Sequence, residues 1–194
     1  MTYVKASVRR PAGNPGNGIQ PKDQLVIYDV DDILSFPPRN DAGVVIEEDI
    51  VMKAGRYAIG IYLTPGTAEI SSNSDGETDA EGYTPSIKFN HPGNEQEIRE
   101  FKTNWLSKKC IVVLRYCSGK PADLIGTPCN PCKLSVSYTG SNESNTNELT
   151  FTQISKGDDI AIYRGTDTLE EPVAVVEAGA TDIDYQTDGQ YQLS

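Results

Sequence analysis

Residues 94–116 read NEQEIREFKTNWLSKKCIVVLRY, a helical pattern followed directly by an apolar strand. In the first part, apolar side chains recur at helical spacing, so that Ile98, Phe101 and Trp105 share one stripe among charged neighbours. The pattern predicts an α-helix over 94–109 that docks on a neighbouring layer through these three side chains.

Both ends of this segment carry further signals. Asn94 is a favourable N-cap residue, and Glu97 stands at the reciprocal position of a capping box. Leu106 extends the apolar stripe. Ile111–Tyr116 then forms a nearly unbroken apolar run, which is typical of a buried strand.

Outside this segment, short β-prone runs alternate with turn residues. Arg56–Thr64 alternates in polarity, which predicts that Tyr57 joins a core face and that Thr67–Ser71 returns as a hairpin partner across Pro65 and Gly66. Further strands are predicted at 25–28, 44–46, 86–89, 133–139, 148–154, 160–163, 172–177, 182–185 and 190–193. The predicted fold class is all-β with one helix, a β-sandwich or barrel of about ten short strands flanked by a single α-helix.

The domain organisation follows from the distribution of proline, glycine and acidic residues. The segment 9–22 is rich in proline and glycine, which exclude both a helix and a central strand, so 1–22 is predicted to be an N-terminal arm. Residues 23–194 are predicted to form a single sandwich or barrel domain. Within it, 71–84 is predicted to be a long acidic loop, and 94–109 the helix.

The overall charge restricts the classes of function. The chain has 28 acidic and 17 basic residues and a net charge of −11, a surface that repels phosphate backbones. No apolar run approaches the length of a membrane span, and the N-terminus lacks the apolar region of a secretory signal. We therefore expect no membrane association and no sequence-reading contact with nucleic acid.

The segment LVIYDVDDIL, residues 25–34, resembles the first motif of haloacid-dehalogenase-type phosphatases. That resemblance implies Asp29 as nucleophile and Asp31 as general acid beside a magnesium ion, with 156–159 imitating the later acidic motif. The family needs a parallel sheet with a helix after nearly every strand, whereas this chain offers one helix. The sequence therefore predicts a protein that is not an enzyme, in which Asp29 and Asp32 bond to nearby backbone N–H groups in a turn.

The four cysteines are Cys110, Cys117, Cys129 and Cys132, the last two in a CxxC spacing. Cys110 and Cys117 flank a predicted strand on opposite faces, so the four thiols do not converge as a zinc site requires. A redox CxxC begins a helix, and the proline-rich loop around 127–132 does not provide one. We expect reduced thiols and no metal or other cofactor.

The acidic row Asp75, Glu77, Asp79 and Glu81 resembles a calcium loop only loosely, because the required glycine and the distal bidentate glutamate are missing. The single histidine, His91, precedes a Pro-Gly pair and has no nucleophile beside it in a recognisable setting. We interpret the acidic row as a solvated loop and His91 as a turn residue.

The segment 89–166 carries a chain of short motifs: FNHPGNE, EIREF, CIVVLRYC, GTPCNPC, LTFT and AIYRGT. Together they resemble a family of virion structural proteins of tailed phages and prophages from Bacteroides-type bacteria, associated with tail tubes. The resemblance extends over about residues 25–166. It implies a β-sandwich or barrel subunit, no catalytic residues, and hexameric rings that stack into a tube around an acidic lumen through which DNA passes without specific binding.

This resemblance predicts a location in the virion tail after synthesis in the bacterial host cytoplasm, with further copies of the chain and other virion proteins as partners. The arm and the acidic loop are the predicted assembly elements, because neither is able to fold alone. The candidate assembly residues are Arg9, Arg10, Ile19, Asp75, Glu77, Asp79 and Glu81.

Two other classes of function remain open at this point. A β-sandwich that binds carbohydrate or a host surface would use some of the ten tyrosines as stacking faces. A capsid decoration or tail-terminator protein would share the same composition and the same fold class. The phosphatase remains a remote third alternative.

Overall fold

The computed structural model describes residues 6–14 and 16–169, and within them it contains twelve strands and one α-helix. The helix α1 covers Gln96–Trp105, and a single 3-10 turn covers Val30–Asp32. The strands are β1 (Pro21–Asp29), β2 (Ile33–Ser35), β3 (Val45–Ile46), β4 (Val51–Met52), β5 (Ile59–Tyr62), β6 (Glu69–Asp75), β7 (Gly82–Pro92), β8 (Cys110–Tyr116), β9 (Ala122–Ile125), β10 (Cys132–Gly140), β11 (Asn145–Gln153) and β12 (Ala161–Tyr163). The predicted fold class, all-β with one helix, is confirmed.

Strand β8 is the branch point of the main, ten-stranded sheet. It pairs with β1 along one edge, while β9 and β10 share the other edge. One limb continues from β9 through β12 to β3, and a second runs from β10 through β11 and β7 to β6. The β12–β3 pair is parallel and the other pairs are antiparallel. The strands β2 and β4 form a separate small sheet.

The central strands β1 and β8 bury both of their faces. Leu25 and Val112 lie in one core, shared with β7, β10, β11 and α1, whereas Val26 and Ile111 lie in a second core with β9 and β12. Successive strand residues point to opposite faces, so a strand between two cores needs apolar residues at consecutive positions. This explains why both segments read as continuous apolar runs, and it makes the fold a layered, sandwich-like structure.

A buried polar cluster fastens the end of the described chain to the second core. Asp167 accepts a hydrogen bond from the Tyr28 hydroxyl at 2.7 Å and forms an ion pair with Arg115. Arg115 also donates to the Gly165 carbonyl at 2.7 Å. Burial and the neighbouring Asp167 raise the pKa of Tyr28 far above its usual range. The phenol is therefore a permanent donor, and the cluster is fully paired.

Several local predictions are wrong. Thr67–Ser71 does not return against β5, because β6 begins at Glu69 and pairs with β7. Tyr57 lies just before β5 and is 46% exposed, so it does not belong to the core face. The strand β9 was not predicted. The strands predicted at 172–177, 182–185 and 190–193 lie outside the described residues.

Candidate assembly interface

The described part of the N-terminal arm does not join the core. Its described residues from Ala6 to Gln20 are exposed, with Val8 fully exposed and Ile19 at 43%. Proline and glycine account for this, because proline lacks a backbone N–H donor and glycine loses the most conformational freedom when it is ordered. The arm is attached to the body where the Cys117 N–H donates to the Gln20 carbonyl at 3.0 Å, directly before β1.

Two arginines of the arm have no ionic partner among the described residues. Arg9 and Arg10 are exposed, and neither forms an ion pair with any carboxylate in the described part of the chain. No described hydrogen bond joins the arm to the acidic residues at 75–81, so the structure does not bring these two candidate elements together within one copy.

The predicted loop at 71–84 is shorter than expected. Strands β6 and β7 pair up to Asp75↔Gly82, so the turn covers only 76–81 and the rest of the segment is a β-hairpin. A hairpin satisfies the backbone groups of 71–75 even though their side chains are polar, which is why polarity alone suggested a loop. Asp79 has a positive φ of 71°, a conformation that Asp tolerates in turns.

The end of this hairpin next to the turn is braced from one side. Tyr83 and Gly157 exchange backbone hydrogen bonds of 2.9 and 3.0 Å, and Lys156 lies 3.1 Å from the Asp75 carboxylate. The lysine lowers the pKa of Asp75. Glu77, Asp79 and Glu81 are exposed and take part in no ion pair among the described residues. The turn of the hairpin thus presents these three acidic side chains on the surface, next to a segment that is fixed by hydrogen bonds and an ion pair.

Helix α1 lies on the first core through the predicted stripe. Ile98 is buried in that core, and Phe101 and Trp105 pack against it with their rings stacked at 5.7 Å between centroids. Leu106, in contrast, is 55% exposed, and the helix ends at Trp105 instead of continuing to 109.

The start of the helix differs from the predicted capping box. Glu95 occupies the N-cap position, without a side-chain capping bond, and Asn94 has another role. Nζ of Lys102 donates one hydrogen bond to Oδ1 of Asn94, at 2.9 Å. It donates a second to Oδ1 of the buried Asn147, at 2.6 Å. Desolvation lowers the pKa of Lys102. This polar contact between α1 and β11 gives Asn94 a tertiary partner that sequence alone did not indicate.

A cavity of about 250 Å³ lies between the start of α1, the end of β7 and the edge strand β5. We call it the helix pocket; it is lined by Gly60, Ile61, Tyr62, His91, Pro92, Glu95, Glu97, Ile98 and Phe101. Nδ1 of His91 lies 2.9 Å from the Tyr62 carbonyl, which fixes the imidazole at the rim. Sequence reasoning missed this pocket, because its walls come from three elements that become neighbours only through the sheet topology.

The phosphatase-like aspartates stand in a different setting from the one that the resemblance implied. Both neighbours of β1 run antiparallel to it. Asp29 caps the 3-10 turn by accepting from the Asp31 N–H at 3.1 Å and forms an ion pair with Lys108. The hydrogen bond from the Asp31 N–H to the Asp29 carboxylate agrees with the predicted turn. The Asp32 carboxylate, in contrast, lies 3.4 Å from Nε of Arg56. Asp158 pairs with Arg39 on another part of the surface.

The cysteines fall into two buried and two exposed thiols. Cys110 and Cys132 are buried and face each other where β8 meets β10, whereas Cys117 and Cys129 are exposed. Burial raises the pKa of Cys110 to about 12, so this thiol is protonated at neutral pH. Within residues 6–14 and 16–169, no group of three or more His, Cys, Asp or Glu side chains is arranged to hold a metal ion.

The helix in the described part of the chain is too short and too polar to cross a membrane. The chain matches no protein-family model, and neither a curated protein nor a solved structure shows significant similarity to it.

Proposed function

We propose that this chain is a virion structural protein of a tailed phage or prophage, a tail-tube subunit whose copies form stacked rings around an acidic lumen. The observation that carries the proposal is the contrast between a well-packed sandwich-like body and an arm whose side chains are exposed along its described length. Val8 and Ile19 are not covered by any other part of the described chain, and a contact with another chain would bury these apolar side chains.

The charge supports the same proposal. At a net charge of −11, the surface attracts neither strand of a passing duplex, and an acidic wall lets DNA slide because it forms no phosphate contacts. The braced hairpin at 69–92 supplies exposed carboxylates at its tip. In a ring of identical heterologous contacts, one arm and one hairpin per copy are enough to connect each subunit with its neighbours.

Negative-stain microscopy of the purified protein tests the proposal directly. We expect rings or tubes from the intact chain, and only dispersed particles after deletion of residues 1–20. A variant in which 1–20 is replaced by a Gly-Ser sequence of the same length serves as the matched control, because it retains the chain length but not the side chains. Circular dichroism and a cooperative melting transition establish that both variants remain folded.

An intact protein that stays monomeric at all concentrations would contradict the proposal and favour the second candidate, a carbohydrate- or host-surface-binding module. The observation that favours this candidate is the exposure of Tyr57, Tyr62, Tyr83 and Tyr138, each more than 40% accessible. Such rings are suited to stacking on sugars. Binding to a glycan array that is lost in Tyr57→Ala would support this alternative.

A phosphatase assay tests the remote alternative. We expect no turnover of an aryl phosphate with magnesium, because Asp29 is held by Lys108 and lies between antiparallel strands. Turnover that disappears in both Asp29→Asn and Asp31→Asn, with the fold retained, would contradict the structural role that we propose.

A further inference from the structure

We propose that the helix pocket receives the Val8-Arg9-Arg10 segment of a second copy of this chain. This inference rests on the proposed self-assembly and names the two surfaces that meet.

The pocket combines an apolar floor with an acidic rim. Ile61, Ile98 and Phe101 belong to the first core or pack against it, and they close the floor. Glu95 and Glu97 are exposed on the first turn of α1 and border the opening, and no lysine or arginine lines it. A partner for such a site is a long side chain with an apolar stem and a positive end.

The size of the pocket agrees with a side chain as its occupant. At about 250 Å³ it lies below the roughly 300–1,000 Å³ of typical small-molecule sites. An arginine places its methylene stem on the apolar floor and its guanidinium between carboxylates, with which it forms forked hydrogen bonds. The adjacent edge of β5 and the exposed Tyr62 ring extend the apolar surface beyond the opening.

The arm supplies the complementary groups. Val8, Arg9 and Arg10 are consecutive and exposed, and Pro11 restricts the backbone of the preceding Arg10 to an extended form. Neither guanidinium has a carboxylate partner among the described residues. The arm and the pocket are thus opposite in charge and matched in their apolar content.

The two surfaces do not meet within one copy. None of the residues that line the pocket belongs to the arm, although the arm leaves the body at Pro21, close to the Gln24↔Tyr62 pair at the pocket edge. In a ring, each copy offers one arm and one pocket, so arm-to-pocket contacts between neighbours repeat around the ring until it closes.

Charge reversal tests the pairing. The arm variant carries Arg9→Glu and Arg10→Glu, and the pocket variant carries Glu95→Lys and Glu97→Lys. We expect each alone to reduce the number of rings about tenfold or more, since like charges at a contact oppose it. An equal mixture of the two should restore rings, because each arm then meets an oppositely charged pocket on the other variant. A control with Glu100→Lys and Glu143→Lys has the same change in net charge as the pocket variant but alters only exposed residues outside the pocket, and should assemble normally.

The outcomes separate this inference from the proposed function. If the intact protein forms no rings, the proposed function fails. If it forms rings and the pocket variant does so equally well, only the pairing is overturned. A variant that carries all four substitutions, Arg9→Glu, Arg10→Glu, Glu95→Lys and Glu97→Lys, tests for contact within one copy. Rings restored in this variant but not in the mixture would show that the arm binds its own pocket, which also overturns the pairing between copies.

A competition experiment covers the case in which a lysine at the start of α1 unfolds the helix. A peptide of residues 6–14, added in excess to the wild-type protein, should suppress ring formation by occupying the pockets. The same peptide with Arg9→Glu and Arg10→Glu should have no effect. Equal behaviour of the two peptides would contradict the proposal.

Discussion

Asp167 connects the segment that follows β12 to the centre of the molecule. Its side chain is only 6% exposed and holds both Tyr28 and Arg115. We expect Asp167→Asn to lower the free energy of unfolding by about 3 kcal/mol, because it leaves the Arg115 charge partly buried without its counter-ion.

Urea denaturation measures this loss. Arg164→Gln is the matched control, since Arg164 forms an ion pair with Glu47 in which both side chains are more than half exposed. That substitution should cost under about 1 kcal/mol. Equal losses of stability in the two variants would mean that the Asp167–Arg115 ion pair contributes no more than an exposed ion pair.

Asp123 provides a pH-dependent prediction. Burial raises the pKa of this carboxyl above its ordinary value, and Tyr116 donates a hydrogen bond to it. A carboxyl with a raised folded-state pKa binds its proton more tightly in the folded state, so it destabilises the fold as pH rises through that window. The stability of Asp123→Asn relative to wild type should therefore increase between about pH 3 and pH 7. Denaturant titrations at several pH values check this, and a constant difference would contradict it.

Gly126 stands where the two limbs of the main sheet meet. Its φ is +91°, and a Cβ there would lie 3.1 Å from the Cys132 Sγ and 3.4 Å from the Cys110 carbonyl. Gly66 also has a positive φ, of +79°, but open space around it. We expect Gly126→Ala to lower the free energy of unfolding by about 1–3 kcal/mol more than Gly66→Ala does. Both glycines have a positive φ, but only at Gly126 would the added methyl group also meet neighbouring atoms. Thermal melts of the two variants provide the comparison.

At the scale of elements, helix α1 is held by one face. Ile98→Ala should lower the free energy of unfolding by about 2–4 kcal/mol, as for other buried isoleucines, because its side chain is 5% exposed in the first core. Leu106→Ala should stay within about 0.5 kcal/mol of wild type, since that side chain is 55% exposed. Similar losses for both would show that the helix docks in another orientation.

The elements that sequence patterns predicted best are those that are buried on both faces or strongly periodic. Ile111–Tyr116 and Leu25–Tyr28 are strands because consecutive apolar residues suit a strand between two cores. The strand β9 escaped prediction because it is short and contains Asp123. Within the hairpin at 69–92, the sequence predicts a loop over 71–84, because polarity does not reveal that the backbone groups there are satisfied by a ladder.

The candidate site was predictable only in part. The exposure of the arm follows from its prolines and glycines, and the apolar stripe of α1 follows from its spacing. The helix pocket was not predictable, because it depends on β5, the end of β7 and α1 becoming neighbours. No local pattern specifies that juxtaposition.

At the scale of the whole molecule, the net charge leads to a prediction about DNA. We expect no retention of duplex DNA in a mobility-shift assay even at low salt, because a surface with a charge of −11 releases no counterions from the duplex. Binding that weakens steeply with added salt would reveal a basic patch and would contradict the proposal of a lumen that lets DNA pass.

The position of β8 in the chain has a consequence for synthesis. Tyr28 pairs with Ile111, about 80 residues later, so at roughly 5–20 residues per second the partner leaves the ribosome about 4–16 s after β1. During that interval the apolar segment Leu25–Tyr28 has a free edge. The charged residues that flank it, Asp23 on one side and Asp29–Asp32 on the other, discourage aggregation of the nascent chain. The same aspartates that resemble a catalytic motif thus protect an unpaired strand until its neighbour has been made.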